Sequence, residues 1–140
     1  MGMKRISIVV LTLMLSIGLM AQADLSKEQK KAARQQQLTE LTNGYIQTFA
    51  LDETQAATFR QIYADYNKQM LALKRLYAVP KAEEPTEEAL ENEILARFNR
   101  QRAIIDLRLE YYHKLRKVLS PSQIQQIYDD EKSRREKIQK

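Results

Sequence analysis

Apolar residues recur every three or four positions along most of this chain, and the alternation expected of half-buried strands is missing from the sequence after its first two dozen residues. The pattern predicts four helices. The first runs from about Lys27 to Phe49 on a stripe of Leu38, Leu41, Tyr45 and Phe49. Asn43-Gly44, a pair that usually marks a turn, falls inside it. The stripe keeps its phase across the pair, so one weakened but continuous helix is expected. The second runs from Glu53 to about Ala78, with Phe59, Ile62, Tyr63, Tyr66, Met70, Leu73 and Tyr77 in three–four alternation. It would be about 39 Å long, and Val79-Pro80 stops it. Residues 80–86 make the one obvious loop. Thr86 then caps a third helix that reaches about Val118, roughly 48 Å away, with Glu87 and Glu88 suited to its positive end. Helices of this length joined by so short a loop predict an antiparallel hairpin. The fourth helix begins at Ser120 and carries Ile124, Ile127 and Tyr128. From Asp129 to Lys137 the chain is almost wholly charged and reads as a solvated tail.

The third helix carries two apolar stripes. One is Leu90, Ile94, Phe98, Ile105, Leu109, Tyr112 and Leu119; the other is Ile104, Leu107, Tyr111 and Val118, with Arg97, Arg100, Arg108 and Lys114 around it. A helix buried on one side needs a single stripe. Two imply a further partner: another helix of the chain, a second protomer or a client protein. Arg97, Arg100, Ile104, Leu107, Arg108, Tyr111, Lys114 and Val118 are therefore the candidate surface for a client or partner. Tyr45, Tyr63, Tyr66, Tyr77 and Tyr112 fall on the apolar stripes and are expected at the edge of a core, while Tyr111 and Tyr128 are less easily placed.

A second pattern marks where helices begin. Leu-x-x-x-Gln occurs at Leu25–Gln29, Leu51–Gln55 and Leu119–Gln123. Each copy reads as a capping box, in which Ser26, Asp52 or Ser120 accepts from the N3 amide and the glutamine reaches back to the N-cap amide. Pro121 suits the first helical position, where a missing N–H costs nothing, and Leu119 can staple onto Ile124.

Residues 1–23 have the form of an export signal. Lys4 and Arg5 precede an apolar run from Ile6 to Met20, and Ala21-Gln22-Ala23 offers small residues for cleavage after Ala23. The run is shorter than the ~20 residues that span a bilayer, so no stable membrane insertion is expected once the signal is cut. Residues 24–37, rich in Gln and Lys with little to bury, are a candidate disordered segment, and residues 38–140 form the expected all-helical domain. Losing Lys4 and Arg5 lowers the 23 basic residues to 21, against 18 acidic ones, and the net charge from +5 to +3. Export to the periplasm, with so small a charge excess, argues against nucleic acid as the partner. With no Cys, nothing can be cross-linked there, and stability must come from helix packing, helped by self-association.

The sequence offers little for catalysis. His113 is the one histidine, and there is no Cys or Trp. No activated Ser or Thr is marked beside His113, and Glu110 and Asp106 near it do not amount to a zinc-ligand set. Glu83-Glu84 and Asp129-Asp130 read as solvating charge. A non-enzyme with no cofactor and no bound metal is expected.

With two Leu-x-x-x-Gln boxes at helix starts, at Leu51, Asp52 and Gln55 and at Leu119, Ser120 and Gln123, the chain resembles the Spy/CpxP-like family of bacterial periplasmic proteins, known for paired LTxxQ motifs. The resemblance covers most of residues 38–135. Asp52 and Ser120 stand where that family usually has Thr, and both can still cap. The resemblance implies a thin, curved, all-α protomer that forms an antiparallel dimer and holds unfolding envelope proteins, without ATP, on a concave, basic, partly apolar face. It also implies roles in envelope stress. The alternatives are a non-catalytic adaptor or inhibitor of an envelope sensor kinase, and a metal-responsive periplasmic sensor. The metal-sensing relatives look richer in His than this chain.

Overall fold

Helix ends in this protein are set by short-range hydrogen bonds between neighbouring residues. The structure is a computed structural model that describes residues 22–81 and 83–139. Among these, four helices form: α1 (Gln22–Thr48), α2 (Glu53–Leu76), α3 (Glu87–Leu115) and α4 (Pro121–Ile138). The described part of the chain is all-helical. The expected export signal lies, apart from Gln22 and Ala23, outside the described residues.

Two of the three Leu-x-x-x-Gln copies are complete capping boxes. The Gln55 amide donates to Asp52 Oδ1 at 2.8 Å, and the Asp52 amide to Gln55 Oε1 at 3.2 Å. At α4 the Gln123 amide donates to Ser120 Oγ at 3.3 Å and the Ser120 amide to Gln123 Oε1 at 2.9 Å, with Pro121 in the first turn. Leu119 and Ile124, the expected staple, are both buried. The copy at Leu25–Gln29 is different. It lies inside α1, so Ser26 starts no helix. A capping residue acts only where amides lack a preceding turn, and here the turn exists. Thr86 caps α3 as expected, accepting from the Ala89 amide at 3.1 Å.

α1 passes through Asn43-Gly44 without a break. It ends in a Schellman motif: the Leu51 amide donates to the Ile46 carbonyl at 3.1 Å and the Ala50 amide to that of Gln47 at 3.2 Å. Ala50 takes the left-handed conformation this motif needs, at φ 50°. By compactness the chain divides between Asn43 and Gly44. The first unit, in its described part, is the polar stretch of α1, exposed throughout Lys27–Gln37 and tied by bonds one turn apart such as Thr39 Oγ1 to the Gln35 carbonyl at 2.9 Å. Residues 24–37 thus belong to a helix.

The second unit, Gly44–Lys140, holds the core. α2 and α3 pack along each other. Phe59, Tyr63 and Tyr66 of α2, Tyr45 of α1, Tyr111 and Leu115 of α3, and Ile124 and Ile127 of α4 are its large buried side chains, closed by Leu119, with Ala56 of α2 beside them in the core. The rings touch in sequence. Tyr45 stands edge-on to Phe59 and Tyr63, Phe59 stacks on Tyr63 at 5.3 Å, Tyr63 meets Tyr66 at 6.3 Å, and Tyr66 meets Tyr111 at 5.4 Å. Offset and edge-on rings of this kind add about 0.5–1.5 kcal/mol per pair beyond area burial.

Candidate functional site

α3 turns an unexpected face inward. In its second half the line Ile104, Arg108, Tyr111 and Leu115 points at the core, with Leu107 and Val118 half-buried beside it. In its first half the same line continues as Ala89, Glu93, Ala96 and Arg100, all half-buried. Large apolar residues on the other side of the helix point away from the core. Leu90, Ile94, Leu95, Phe98, Ile105 and Leu109 are all exposed, Phe98 at 59% and Ile105 at 61%. The stripe Ile104–Leu107–Tyr111–Val118, offered by the sequence as surplus, is thus the packing stripe of this chain, with Tyr111 only 2% exposed. The exposed stripe is the one that starts at Leu90. Its span from Leu90 to Leu109 is about 28 Å at 1.5 Å per residue. Arg97 is exposed close to Phe98 in sequence, and Arg100 and Lys114 are half-buried.

The structure gathers only part of the predicted surface into one place. Arg97, Arg100, Ile104 and Arg108 line a cleft of about 870 Å³ in the second unit. Lys74 from α2, Lys81 from the following loop and Arg135 from α4 complete its basic wall. Tyr111 stays in the core, and Lys114 lies over its ring at 4.3 Å and pairs with Glu110. Crowding of charge shows at Lys74. Burial and then the neighbouring guanidiniums of Arg135, Arg100 and Arg108 pull its ammonium below the ordinary lysine value of 10.5.

The expected solvated tail is a correction. α4 continues to Ile138, and its inward line Ile124, Ile127, Glu131, Arg134 keeps the three–four spacing of the apolar stripe with charged residues. Their partners are tyrosine hydroxyls from other helices. Tyr45 donates to Asp130 Oδ2 at 2.9 Å and Tyr66 to Glu131 Oε2 at 3.3 Å. Tyr128 donates to the Arg108 carbonyl at 3.3 Å, and Tyr111 to Asp65. Asp130 is therefore a hydrogen-bond acceptor within the fold rather than mere solvating charge. Burial raises the Glu131 carboxyl above its usual 4.5, against the pull of Arg108, Arg134 and Arg135. Burial also pushes Tyr63 up to about 12, with the Glu131 charge acting in the same direction. The polyphenol core is wired to a charged helix.

Sequence reasoning missed Lys74, Lys81, Arg135 and Glu131. Lys74 follows Tyr63, Tyr66 and Met70 at helical spacing, and Glu131 follows Ile124 and Ile127 likewise. Extending each stripe through its charged members would have found both. His113 is exposed and touches the Tyr112 ring. Among the described residues no group of three or more His, Cys, Asp or Glu side chains could hold a metal ion, and no helix is long and apolar enough to cross a membrane. No protein-family model, curated protein or solved structure matches this chain. The fold and the cleft define it as an all-helical protein with an exposed apolar face beside a basic recess.

Proposed function

We propose that this protein is an exported, non-catalytic binding protein of the Spy/CpxP-like kind that holds unfolding envelope proteins without ATP. One observation carries the reading: α3 directs Leu90, Ile94, Phe98, Ile105 and Leu109 to solvent, while in its first half Ala89, Glu93, Ala96 and Arg100 occupy the inward line. Burial of large apolar side chains is the main source of folding stability, at about 1.5–3 kcal/mol each. A helix serving its own fold alone would gain by the opposite arrangement. A contiguous apolar stripe on a small protein marks interaction. Unfolding chains expose apolar segments along their length, which a stripe of this kind can cover loosely and release. The basic residues beside it attract acidic clients at longer range.

The finer architecture belongs to the same proposal. Asp65 pairs with Tyr111, and further along α2 Lys74 lies near Arg100. As the α2 number rises its α3 counterpart falls, which supports an antiparallel hairpin. A second copy covering part of the stripe would make the homodimer that the family resemblance implies. The test is suppression of aggregation of a heat-denatured model protein by a severalfold excess of this one. Suppression that falls sharply in Phe98→Ser/Ile105→Ser is expected. Undiminished suppression by that variant, or none by the parent, rejects the reading. Light scattering on both proteins reads the dimer: the parent should have twice the mass of one chain, and the variant should shift toward one.

A further inference from the structure

The cleft of the second unit concentrates more positive charge than the described chain neutralises. Of the residues that line it, Glu93 is the one acid, and it is already paired with Arg97. On α3 Arg97 pairs with Glu93 and Lys114 with Glu110, and neither pair takes up the charge of Lys74, Lys81, Arg100 or Arg135. Glu131 of α4 is the nearby counter-charge, felt by Arg108, Arg135 and Lys74, so one carboxylate faces several cations, and Arg108 Nε is buried without a hydrogen-bond partner. Val79, Pro80, Ile104 and Ile105 supply apolar walls. The cleft is open to solvent, with Lys81, Arg97 and Arg135 exposed, and clustered cations of this kind attract an anion from solution.

The cations arrive from different directions: α2 brings Lys74, the loop Lys81, α3 Arg97, Arg100 and Arg108, and α4 Arg135. Donors converging from several elements suit a compact, tetrahedral polyanion. A row of carboxylates on a peptide would instead be met by donors along a line. Guanidinium forks bind phosphate oxygens in pairs, and a lysine adds a point charge. At about 870 Å³ the recess is larger than a single small ion needs. We propose that this cleft binds a phosphate group bearing at least two negative charges, as a free oligophosphate or as the headgroup of an anionic lipid. The proposal rests on the cations of the cleft, whereas client holding rests on the exposed stripe of α3, of which Ile105 alone also borders the cleft.

Calorimetric titration tests it, with tripolyphosphate and with short-chain phosphatidic acid below its micelle concentration as probes. Short-chain phosphatidylcholine is the control for apolar binding. Saturable binding of at least one phosphate probe is expected. Arg100→Gln with Arg135→Gln should weaken it roughly tenfold or more, while Lys132→Gln, which removes an exposed charge outside the cleft, should leave it unchanged. Binding of tripolyphosphate identifies a free phosphate as a ligand, and binding of phosphatidic acid alone identifies the headgroup; each supports the cleft. Absence of saturable heat with both probes overturns the proposal. So does an equal loss in Lys132→Gln, or equal binding of phosphatidylcholine. Arg100→Lys keeps the charge and removes the fork; it should fold as the parent does and bind more weakly.

Discussion

Two single residues near the end of α1 give opposite answers to the same exchange. Gly44 sits in the helix interior, and a Cβ there would meet nothing within 4 Å. Gly44→Ala should stabilise the protein by roughly 0.5–1 kcal/mol, because glycine loses more freedom on entering a helix. Ala50 has φ 50°, where an L side chain is strained. Ala50→Gly should stabilise by about 0.5 kcal/mol, the relief being partly offset by the freer unfolded chain. Urea unfolding of both variants reads these values. Glu131 carries a pH dependence. Its carboxyl is raised in the folded state, so its contribution is fully present below the unfolded value near 4.5 and is lost as pH rises through the folded one. Glu131→Gln removes this loss and keeps an acceptor for Tyr66. The variant should gain on the parent in urea midpoint across the pH range above the unfolded value near 4.5. A constant difference across that range would mean that the carboxyl does not titrate in it.

At the scale of the helix, capping is local chemistry, and it was legible in the sequence. Asp52, Gln55, Ser120 and Gln123 each find a partner three residues away. Ser120→Ala should cost about 1 kcal/mol, measured by thermal unfolding, and should loosen α4. Ser26→Ala, in the same motif but mid-helix, should cost nothing. Periodicity told less. It groups Leu90, Ile94, Phe98, Ile105 and Leu109 on one side of α3, but it does not say which side meets the neighbouring helix. That choice depends on Tyr111 reaching Asp65 and on Leu115 and Leu119 closing the core with Ile124 and Ile127. The charged end of α4 was misread for a similar reason. Glu131 and Asp130 are held by hydroxyls of Tyr66 and Tyr45, far off in sequence, and no local pattern announces such partners.

For the molecule as a whole, the tyrosines tie the core to alkaline stability. Tyr45, Tyr63, Tyr66, Tyr111 and Tyr128 are all raised above 10.0 by burial, Tyr63 and Tyr111 to about 12. Each therefore contributes stability that is complete below the unfolded value and lost as pH climbs through the folded one. Alkaline titration should show tyrosinate absorbance lagging behind that of a denatured sample. The late part should rise together with the loss of helical circular dichroism. Superimposable curves for native and denatured protein would contradict a buried phenol core. The bond from Tyr45 to Asp130 has a further consequence. It brings the start of the second unit beside the middle of α4, about two helical turns from that helix's end, within reach of a rewired connection. A circularly permuted chain, with a flexible bridge long enough to run back along the last turns of α4 to Gly44 and new termini opened in the loop before Thr86, should keep the same aromatic stack.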